Sequence, residues 1–274
     1  MPLFQVDPNK CLQDGACVDA CPARLLEFKD GQDVPSPIPE AEEYCISCGH
    51  CVAVCPAGAL DHRAMRAEDC PPIRSDLPMS RDMVEQFLRA NRSIRSYTDQ
   101  PADPATLRQL ISIASYAPSG HNRQPVHWLV VQARAEVVRY CQLVVDWMQS
   151  MIDQGSGLAR DMHLQRVVEA WHEGQDVICR NAPQVIVAHA PKQEPTATAA
   201  CTIALTYLDL AAPSFGLGTC WAGFFNAAAL FWPAMHEALD LPPEHITYGA
   251  MMIGQPDVRY HRLPLRSAPR ISWR

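Results

Sequence analysis

The chain has 274 residues, 48% of them apolar, and a net charge of −7. This length suggests one or two domains that bury a real core, and it excludes a miniprotein held together by disulfide bonds. No apolar run approaches a membrane span and the N-terminus lacks a secretory signal pattern, so we expect a cytoplasmic protein with no membrane partner.

Cysteine and negative charge are both concentrated near the N-terminus. Seven of the twelve cysteines fall between Cys11 and Cys55, and residues 1–65 carry ten acidic but only four basic residues. In a reducing cytoplasm, clustered cysteines favour metal ligation or redox chemistry over structural disulfides. The acidity argues against nucleic acid as a partner, because phosphate binding needs a basic surface.

Composition divides the chain into three segments. Residues 1–65 hold the cysteine motifs, and the prolines of residues 66–79 predict an extended linker. Residues 80–274 show the pattern of a mixed globular domain. Helices are predicted from Ser80 to about Asn91, from Asp103 to Pro118, and over 136–154, 159–175 and 196–215, and strands over 127–131, 184–190 and 246–253. Helices and strands around a small sheet indicate a layered α/β or α+β fold.

The second of two cysteine runs has the spacing of a bacterial ferredoxin. Two, two and three residues separate its cysteines, Cys45, Cys48, Cys51 and Cys55, and Pro56 follows. In this pattern three thiolates hold one cubane and the fourth cysteine ligates the other cluster. A zinc knuckle or a redox dithiol is the alternative, but the close spacing before a proline favours iron and sulfide.

The first run repeats this register with one substitution, because Asp14 stands where the second cysteine is expected. Crossed ligation predicts one 4Fe-4S cluster on Cys45, Cys48, Cys51 and Cys21, and a second cluster on Cys11, Cys17 and Cys55 with Asp14 at its fourth iron. A carboxylate is a harder ligand than a thiolate, so we expect this iron to be labile. The cluster is then either 3Fe-4S or a cube ligated by Asp14. The alternative is that Asp14 has no role at the cluster and is a solvated loop residue beside a 3Fe-4S cluster.

The five remaining cysteines are not expected to bind metal. Cys70 lies in the predicted linker. The others, Cys141, Cys179, Cys201 and Cys220, sit in apolar periodic segments, where cysteine is a small core residue.

Three segments of the larger domain carry polar or glycine residues that packing in a hydrophobic core does not explain. Arg92, Ser93 and Arg95 offer two guanidinium groups and a hydroxyl that can converge on a phosphate. Residues 117–125 form a rigid turn that includes Ser119. Its Asn122 and Gln124 can both donate and accept hydrogen bonds, as the pyrimidine edge of a flavin requires. In residues 215–224, glycines let the backbone approach a planar ligand.

In this order, the segments resemble the FMN-dependent nitroreductase superfamily. The matching pieces are R-S-I-R, A-P-S-x-x-N-x-Q-P, G-L-G-T-x-W and the C-terminal R-L-P-L-R, and the resemblance covers essentially all of residues 80–274. With the two cysteine runs in front, the chain resembles the ferredoxin-fused branch of that family. This resemblance implies a homodimer of α+β subunits, each a small ferredoxin-like domain followed by a layered flavin domain, with FMN in a groove at the dimer interface.

The resemblance also implies roles for individual residues. It assigns Arg92, Ser93, Arg95 and Arg266 to the FMN phosphate, Asn122 and Gln124 to the isoalloxazine edge, and the backbone of Gly223 to its reactive side. The sequence departs from the family at Asn91, where many members have arginine, so the phosphate site would be either weaker or completed by Arg262. It departs again at Phe224, where glycine is frequent.

The expected function follows from the two kinds of cofactor. An iron-sulfur cluster carries one electron at a time, whereas a flavin accepts one or two. Electrons would pass from a ferredoxin-like or NAD(P)H donor through the clusters to FMN, and on to a small nitroaromatic, quinone or activated alkene. No side chain is nominated as a general acid, and His121 is interpreted as an exposed loop residue. One alternative is an electron relay or flavin carrier without turnover of its own. Another is a zinc-stabilised interaction domain.

Overall fold

The computed structural model describes residues 2–274, which divide into two units. Unit 1 comprises the chain up to Met79 together with His121–Arg123, and unit 2 comprises Ser80–Gly120 and Gln124–Arg274. The predicted linker, residues 66–79, therefore groups with the cysteine-rich segment. Within residues 2–274, no helix is both long enough and apolar enough to cross a membrane.

Unit 1 is built from short elements around a small apolar core. In chain order these are β1 (Phe4–Val6), α1 (Ala16–Asp19), β2 (Leu26–Glu27), β3 (Ser36–Pro37), α2 (Ala41–Tyr44), α3 (His50–Ala53) and β4 (Leu60–His62). Strand β1 pairs antiparallel with β4, and β2 pairs antiparallel with β3. Buried side chains that include Leu3, Leu26, Val52 and Leu60 form the core between them.

The repeat in the two cysteine runs is also a repeat in the backbone. Helices α1 and α3 each begin after a glycine with left-handed backbone, Gly15 at φ 73° and Gly49 at φ 74°. Two residues before each glycine the chain is left-handed again, at Gln13 (φ 56°) and Ser47 (φ 50°). Glycine adopts this conformation without the clash that a Cβ would introduce. At Gly49 a Cβ would also lie 2.5 Å from Met65 Sδ, so a larger residue there would require the flexible Met65 side chain to move.

Unit 2 contains the longer helices and one four-stranded sheet. Its elements are α4 (Arg81–Ala90), α5 (Pro104–Ala114), β5 (His127–Val131), α6 (Arg134–Asp153), α7 (Gly157–Asp161), α8 (Leu164–His172), β6 (Gln184–Pro191), α9 (Ala197–Ala211), β7 (Gly218–Trp221), α10 (Gly223–Phe231), α11 (Pro233–Leu239) and β8 (His245–Gly254). The strand order is β5-β6-β8-β7, and all neighbours are antiparallel.

The sheet lies between two helical layers because its strands are apolar on both faces. Val185 and Val187 of β6 pack into the core formed with α6, α8, α10 and α11. Ile186 and Ala188, which point to the opposite face, pack with α5 and α9. This architecture confirms the predicted layered α+β fold.

The helix starts predicted from capping residues are confirmed. Ser80 Oγ accepts from Met83 N at 3.2 Å at the start of α4. Asp103 Oδ1 accepts from Ala105 N and Thr106 N, each at 2.9 Å, at the start of α5. In both cases the side chain satisfies an amide that has no partner within the helix.

The single helix predicted over residues 159–175 is wrong. The segment forms α7 and α8, and His163 between them has left-handed backbone (φ 52°). The periodicity of apolar residues did not reveal this break, because the break lies in one residue's backbone conformation. The predicted helix over 196–215 also ends early, since a 3-10 turn that contains Pro213 follows α9.

Candidate iron-sulfur and flavin sites

Two cavities in unit 1 are each walled by cysteines from both runs. The first is here called the Asp14 cavity and the second the Cys48 cavity. Cys11, Asp14, Cys17 and Cys55 line the Asp14 cavity. Cys21, Cys45, Cys48 and Cys51 line the Cys48 cavity. This grouping matches the two ligand sets that crossed ligation predicts, with one residue of each set supplied by the other run.

The donor set suits iron-sulfur clusters. Within residues 2–274, no group of three or more His, Cys, Asp or Glu side chains is arranged to hold a metal ion. The cysteines surround a space instead. A cubane takes its thiolates at separate corners, so ligands spread around a cavity are the arrangement that it requires.

Backbone amides donate to one cysteine in each cavity. Leu25 N donates to Cys21 Sγ at 3.3 Å, and Ala59 N donates to Cys55 Sγ at 3.2 Å. In both bonds the donor lies four residues after the cysteine, so the two bonds occupy equivalent positions in the internal repeat. Such N–H···S bonds orient a thiolate and tune the reduction potential of the cluster that it holds.

His62 adds a side-chain donor to the Cys48 cavity, and sequence reasoning missed it. Its Nε2 lies 3.5 Å from Cys45 Sγ, and its Nδ1 accepts from Ala64 N at 2.9 Å. Because Nδ1 is the acceptor, the ring proton is on Nε2 and points at the sulfur. Burial lowers the pKa of His62, which favours this neutral ring. Its position in β4, outside both cysteine runs, left no signal in the motif.

Burial disfavours ionisation of the two most buried candidate ligand thiols. Burial raises the pKa of Cys17 and raises that of Cys51 to about 11. Since metals bind the thiolate, assembly of clusters here would release these protons.

Asp14 lines its cavity from an exposed position. Its Oδ1 accepts from Ala16 N at 3.1 Å, which fixes the carboxylate at the start of α1. Both predicted states of the cluster, 3Fe-4S or a cube ligated by Asp14, are compatible with a carboxylate at the cavity wall.

In unit 2 the R-S-I-R segment runs beside β7. Ile94 is buried, and its N donates to Thr219 O at 2.9 Å. The arginines before and after Ile94 therefore lie in different parts of the domain. Arg92 lines one cavity, here the Arg92 cavity, and Arg95 lines another, here the Arg95 cavity.

Arg92 carries an unsatisfied donor. Its Nη2 donates to Arg89 O, whereas its buried Nε has no hydrogen-bond partner among the described residues. An unpaired buried guanidinium nitrogen is costly unless a ligand supplies an acceptor. Asp209 also lines this cavity, but it accepts from Asn91 Nδ2 at 2.6 Å and from the Thr219 hydroxyl.

The Arg95 cavity brings together two of the predicted flavin residues. Arg95 and Gly223 line it, with Trp221, Phe224 and other apolar side chains. A Cβ built on Gly223 would meet nothing within 4 Å, so the backbone at the start of α10 faces open space. A planar ligand could approach this backbone closely.

The predicted flavin turn contains three left-handed residues other than glycine, His121 (φ 52°), Asn122 (φ 52°) and Gln124 (φ 45°). Gln124 N donates to Ser119 Oγ at 2.9 Å, which closes the turn. Asn122 Nδ2 donates to Ser47 O at 3.0 Å and to Ile46 O at 3.4 Å, all within unit 1. The predicted role of Asn122 at a flavin edge stays a prediction.

Comparison with known proteins assigns both parts of the chain. A nitroreductase family model matches residues 88–255, and a 4Fe-4S dicluster domain model matches residues 3–56. The chain belongs to the nitroreductase family. Its nitroreductase domain follows an N-terminal 4Fe-4S dicluster domain, as the motifs predicted.

Individual relatives agree with this assignment. FMN reductase [NAD(P)H] of Bacillus subtilis (strain 168) is 29% identical over 185 residues, which is 66% of this chain and 69% of that protein. Ferredoxin-1 of Nitratidesulfovibrio vulgaris is 53% identical over 30 residues, 11% of this chain and 48% of that protein. A solved nitroreductase with bound FMN from Bacteroides fragilis NCTC 9343 has a TM-score of 0.59 at 20% identity, covering 70% of this chain and 98% of that one, and supports the fold.

The other predicted phosphate residues of the nitroreductase domain lie on its surface. Ser93 is exposed, and its carbonyl accepts from the Tyr260 hydroxyl at 3.5 Å. Arg262 and Arg266 lie in the exposed C-terminal segment and line neither cavity. The structure therefore does not gather the predicted phosphate ligands in one place within a single chain.

Two further arginines line the cavities, and sequence reasoning missed both. Arg259 lines the Arg92 cavity, and Arg180 lines the Arg95 cavity. Neither belongs to a motif, although Arg259 lies three residues before the predicted Arg262. Cys141, Cys179, Cys201 and Cys220 are all buried, as predicted. Cys70 packs against the core of unit 1 and is half-buried.

Proposed function

We propose that this protein is an oxidoreductase that passes electrons from a ferredoxin-like or NAD(P)H donor, through two iron-sulfur clusters, to FMN and on to a small acceptor. The expected acceptors are nitroaromatics, quinones and activated alkenes, and the expected compartment is the reducing cytoplasm. The observation that carries the proposal is the pair of unit 1 cavities, each walled by four candidate ligands drawn from both cysteine runs. A nitroreductase domain on the same chain supplies a destination for their electrons.

We assign one cluster to each cavity. The Cys48 cavity would hold a 4Fe-4S cluster on Cys21, Cys45, Cys48 and Cys51. The Asp14 cavity would hold a 4Fe-4S or 3Fe-4S cluster on Cys11, Cys17 and Cys55, with Asp14 at the exchangeable corner.

The proposal that the domain binds FMN is best supported by three residues, Arg92, Arg95 and Gly223. The buried Nε of Arg92 lacks an acceptor, which a phosphate oxygen would provide. Arg95 and the open backbone of Gly223 line the second cavity, whose apolar wall suits a ring system. Thr219 lines the Arg92 cavity and the next two residues of β7 line the Arg95 cavity, so one extended ligand beside β7 could use both. Such a flavin would convert single electrons into a two-electron reduction.

The rim of the Arg95 cavity suits a flat, weakly polar acceptor. Phe231, 70% exposed, and Trp221, 43% exposed, line it together with Leu158. Aromatic faces stack on planar substrates such as nitroaromatics and quinones. No side chain is assigned as a proton donor for the acceptor.

A homodimer would cover apolar surface that one chain leaves open. Helix α4 buries none of its residues, and its apolar face is exposed along Met83, Val84, Phe87 and Leu88. In the C-terminal segment, Leu265 is 98% exposed and Trp273 88% exposed. Contiguous exposed apolar patches mark interaction sites, and a second copy of the chain is the partner that we propose for them. The C-terminal Arg262 and Arg266 would then reach a phosphate in the assembled dimer.

The experiment is an anaerobic titration of reconstituted protein with each donor, in which absorbance follows FMN and electron paramagnetic resonance follows the clusters. We expect iron and sulfide, bound FMN, reduction of both cofactor types, and reoxidation by p-nitrobenzoate or a benzoquinone. Protein without FMN, or protein that reduces no acceptor with any donor, would contradict the proposal. Fast cluster oxidation by a protein partner without small-molecule turnover would support the relay alternative instead.

A further inference from the structure

Arg180 carries a charge that the chain itself leaves unpaired. Its side chain is exposed, and within residues 2–274 its guanidinium takes part in no hydrogen bond or ion pair. It lines the Arg95 cavity. Because an exposed arginine is usually a solvated side chain, a role for Arg180 depends on how the loop and the cavity around it are built.

The loop that carries Arg180 is fixed by one carboxylate. Asp176 Oδ1 accepts from Ile178 N at 2.9 Å and from Cys179 N at 2.8 Å. Asp176 Oδ2 accepts from Asn181 N at 2.9 Å, on the other side of Arg180. Ile178 and Cys179 are also buried in the core of unit 2. The backbone at Arg180 is therefore held from both directions along the chain.

This loop also holds an unusual backbone conformation. Arg180 and Asn181 are consecutive left-handed residues, at φ 58° and φ 56°. Arginine rarely adopts this conformation, which persists where surrounding contacts hold it and is frequent at functional sites. As a result Cys179 enters the core, whereas Arg180, the next residue, lines the cavity.

The acidic residues near this loop are engaged with other groups. Both carboxylate oxygens of Asp176 accept from backbone amides. Asp99 pairs with Arg134, with Asp99 Oδ1 2.7 Å from Arg134 Nη1. Arg134 Nη2 also donates to Asn181 Oδ1 at 3.3 Å. The loop thus satisfies Arg134 and leaves the guanidinium of Arg180 available to a ligand.

The Arg95 cavity combines apolar walls with positive charge. Among the residues that line it, Arg95 and Arg180 are charged at neutral pH, and none is aspartate or glutamate. Trp221, Phe224 and Phe231 contribute aromatic surface. A guanidinium fork matches the two oxygens of a carboxylate, while aromatic surface stacks on a planar skeleton. A planar molecule with a carboxylate group fits both features.

We propose that the acceptor of this protein is a planar, conjugated carboxylate and that Arg180 is the specificity-determining residue that binds its carboxylate group. This inference rests on the proposed function, in which FMN lies beside β7 and the acceptor binds at the rim of the Arg95 cavity. The resemblance assigns Arg95 to the FMN phosphate. Arg180 is then the lining charge that remains for the acceptor.

The first test measures binding without turnover. Reconstituted full-length protein with oxidised FMN is titrated with benzoate and with benzamide, which has a similar shape but no charge, and flavin absorbance gives each Kd. The wild type should bind benzoate at least about tenfold more tightly than benzamide, because the carboxylate forms charge-assisted hydrogen bonds. Arg180→Gln should bind the two with nearly equal affinity. Arg180→Lys should keep part of the preference, since lysine retains the charge but not the fork.

The second test measures selectivity during turnover. The ratio of kcat/KM for p-nitrobenzoate to that for nitrobenzene should fall at least about tenfold in Arg180→Gln, through a higher KM for p-nitrobenzoate. The matched control is Arg166→Gln. Arg166 is an exposed arginine of α8 that does not line the cavity, so this variant should keep the wild-type ratio.

Three results would overturn the inference. The first is a wild type that binds benzoate no more tightly than benzamide, which decides the question even if a variant does not fold. The second is wild-type selectivity in Arg180→Gln. The third is a Kd for FMN about tenfold higher in Arg180→Gln, which would assign Arg180 to the FMN phosphate instead. Failure of the proposed function is distinguishable, since the wild type would then bind no FMN or reduce neither nitro compound.

Discussion

Asn91 Nδ2 donates to Asp209 Oδ2 at 2.6 Å and joins the end of α4 to α9 across 118 positions of sequence. Asp209 also accepts from the Thr219 hydroxyl of β7, so one carboxylate connects three elements around the Arg92 cavity. This explains asparagine at a position where the resemblance leads one to expect arginine. In this protein Asn91 fixes Asp209 in the wall of the Arg92 cavity.

Loss of this contact should destabilise unit 2. We expect Asn91→Ala to lower the free energy of unfolding by about 1–3 kcal/mol, because a partly buried carboxylate loses a donor. Asn91→Asp should cost more, since it sets two carboxylates against each other. Urea unfolding followed by tryptophan fluorescence measures both. Equal stability of the two variants would contradict this role.

Arg92 should control FMN affinity. Arg92→Ala removes the buried guanidinium whose Nε lacks a partner, and we expect the Kd for FMN to rise at least about tenfold. Fluorescence quenching of free FMN by the flavin-free protein gives the Kd. Arg89→Lys is the control, because Arg89 lies on exposed α4 and pairs with Glu85. An unchanged Kd in Arg92→Ala would remove this residue from the phosphate site.

Asp14 should make its cluster fragile. After mild oxidation, the wild type should show the electron paramagnetic resonance signal of a 3Fe-4S cluster, because a carboxylate holds iron less firmly than a thiolate. Asp14→Cys restores the eight-cysteine pattern and should suppress the signal. The absence of a three-iron signal in both the wild type and Asp14→Ala would count against lability.

Buried histidines should make unit 2 sensitive to acid. His189 contacts the rings of His127 and His245, and His189 Nδ1 lies 2.8 Å from His245 Nδ1. Burial first, and then the charges of these neighbours, lowers the pKa of His189 from 6.5 to about 4. The unfolded chain therefore binds the proton more readily, so stability should fall as the pH drops from about 6.5 to about 4, by up to about 3 kcal/mol.

The pH dependence is measured by urea unfolding between pH 4 and 8. His189→Gln should flatten the curve over the range from about pH 6.5 to 4, because the group that takes up the proton on unfolding is gone. His172→Gln, at an exposed position, should keep the wild-type slope. The same slope in all three proteins would show that His189 does not determine it.

Helix α4 should contribute to the dimer. We expect Val84→Glu to raise the dimer dissociation constant at least about tenfold, because a charge replaces apolar surface at the centre of the interface. Light scattering during size-exclusion chromatography measures the assembly state. Val138→Glu is the matched control, since Val138 is a similarly exposed valine on α6. Dissociation in both variants, or in neither, would argue against this interface.

The sequence was enough to predict what depends on local spacing. The cysteine intervals predicted two interleaved ligand sets, and capping residues with apolar periodicity predicted the starts of α4 and α5. The family itself followed from four short motifs. These features can be predicted from the sequence because each depends on residues that are close together along the chain.

Tertiary structure decided what depends on distant residues. Nothing in the sequence relates His62 to Cys45, Asn91 to Asp209, or Asn122 to Ser47, because each pair meets only when separate elements fold together. The break at His163 and the division of Arg92 and Arg95 between two cavities belong to the same class. A hydrogen bond requires its two atoms within about 3.5 Å. Spacing along the chain sets that distance within a cysteine loop, and only the packed fold sets it between strands, helices and turns.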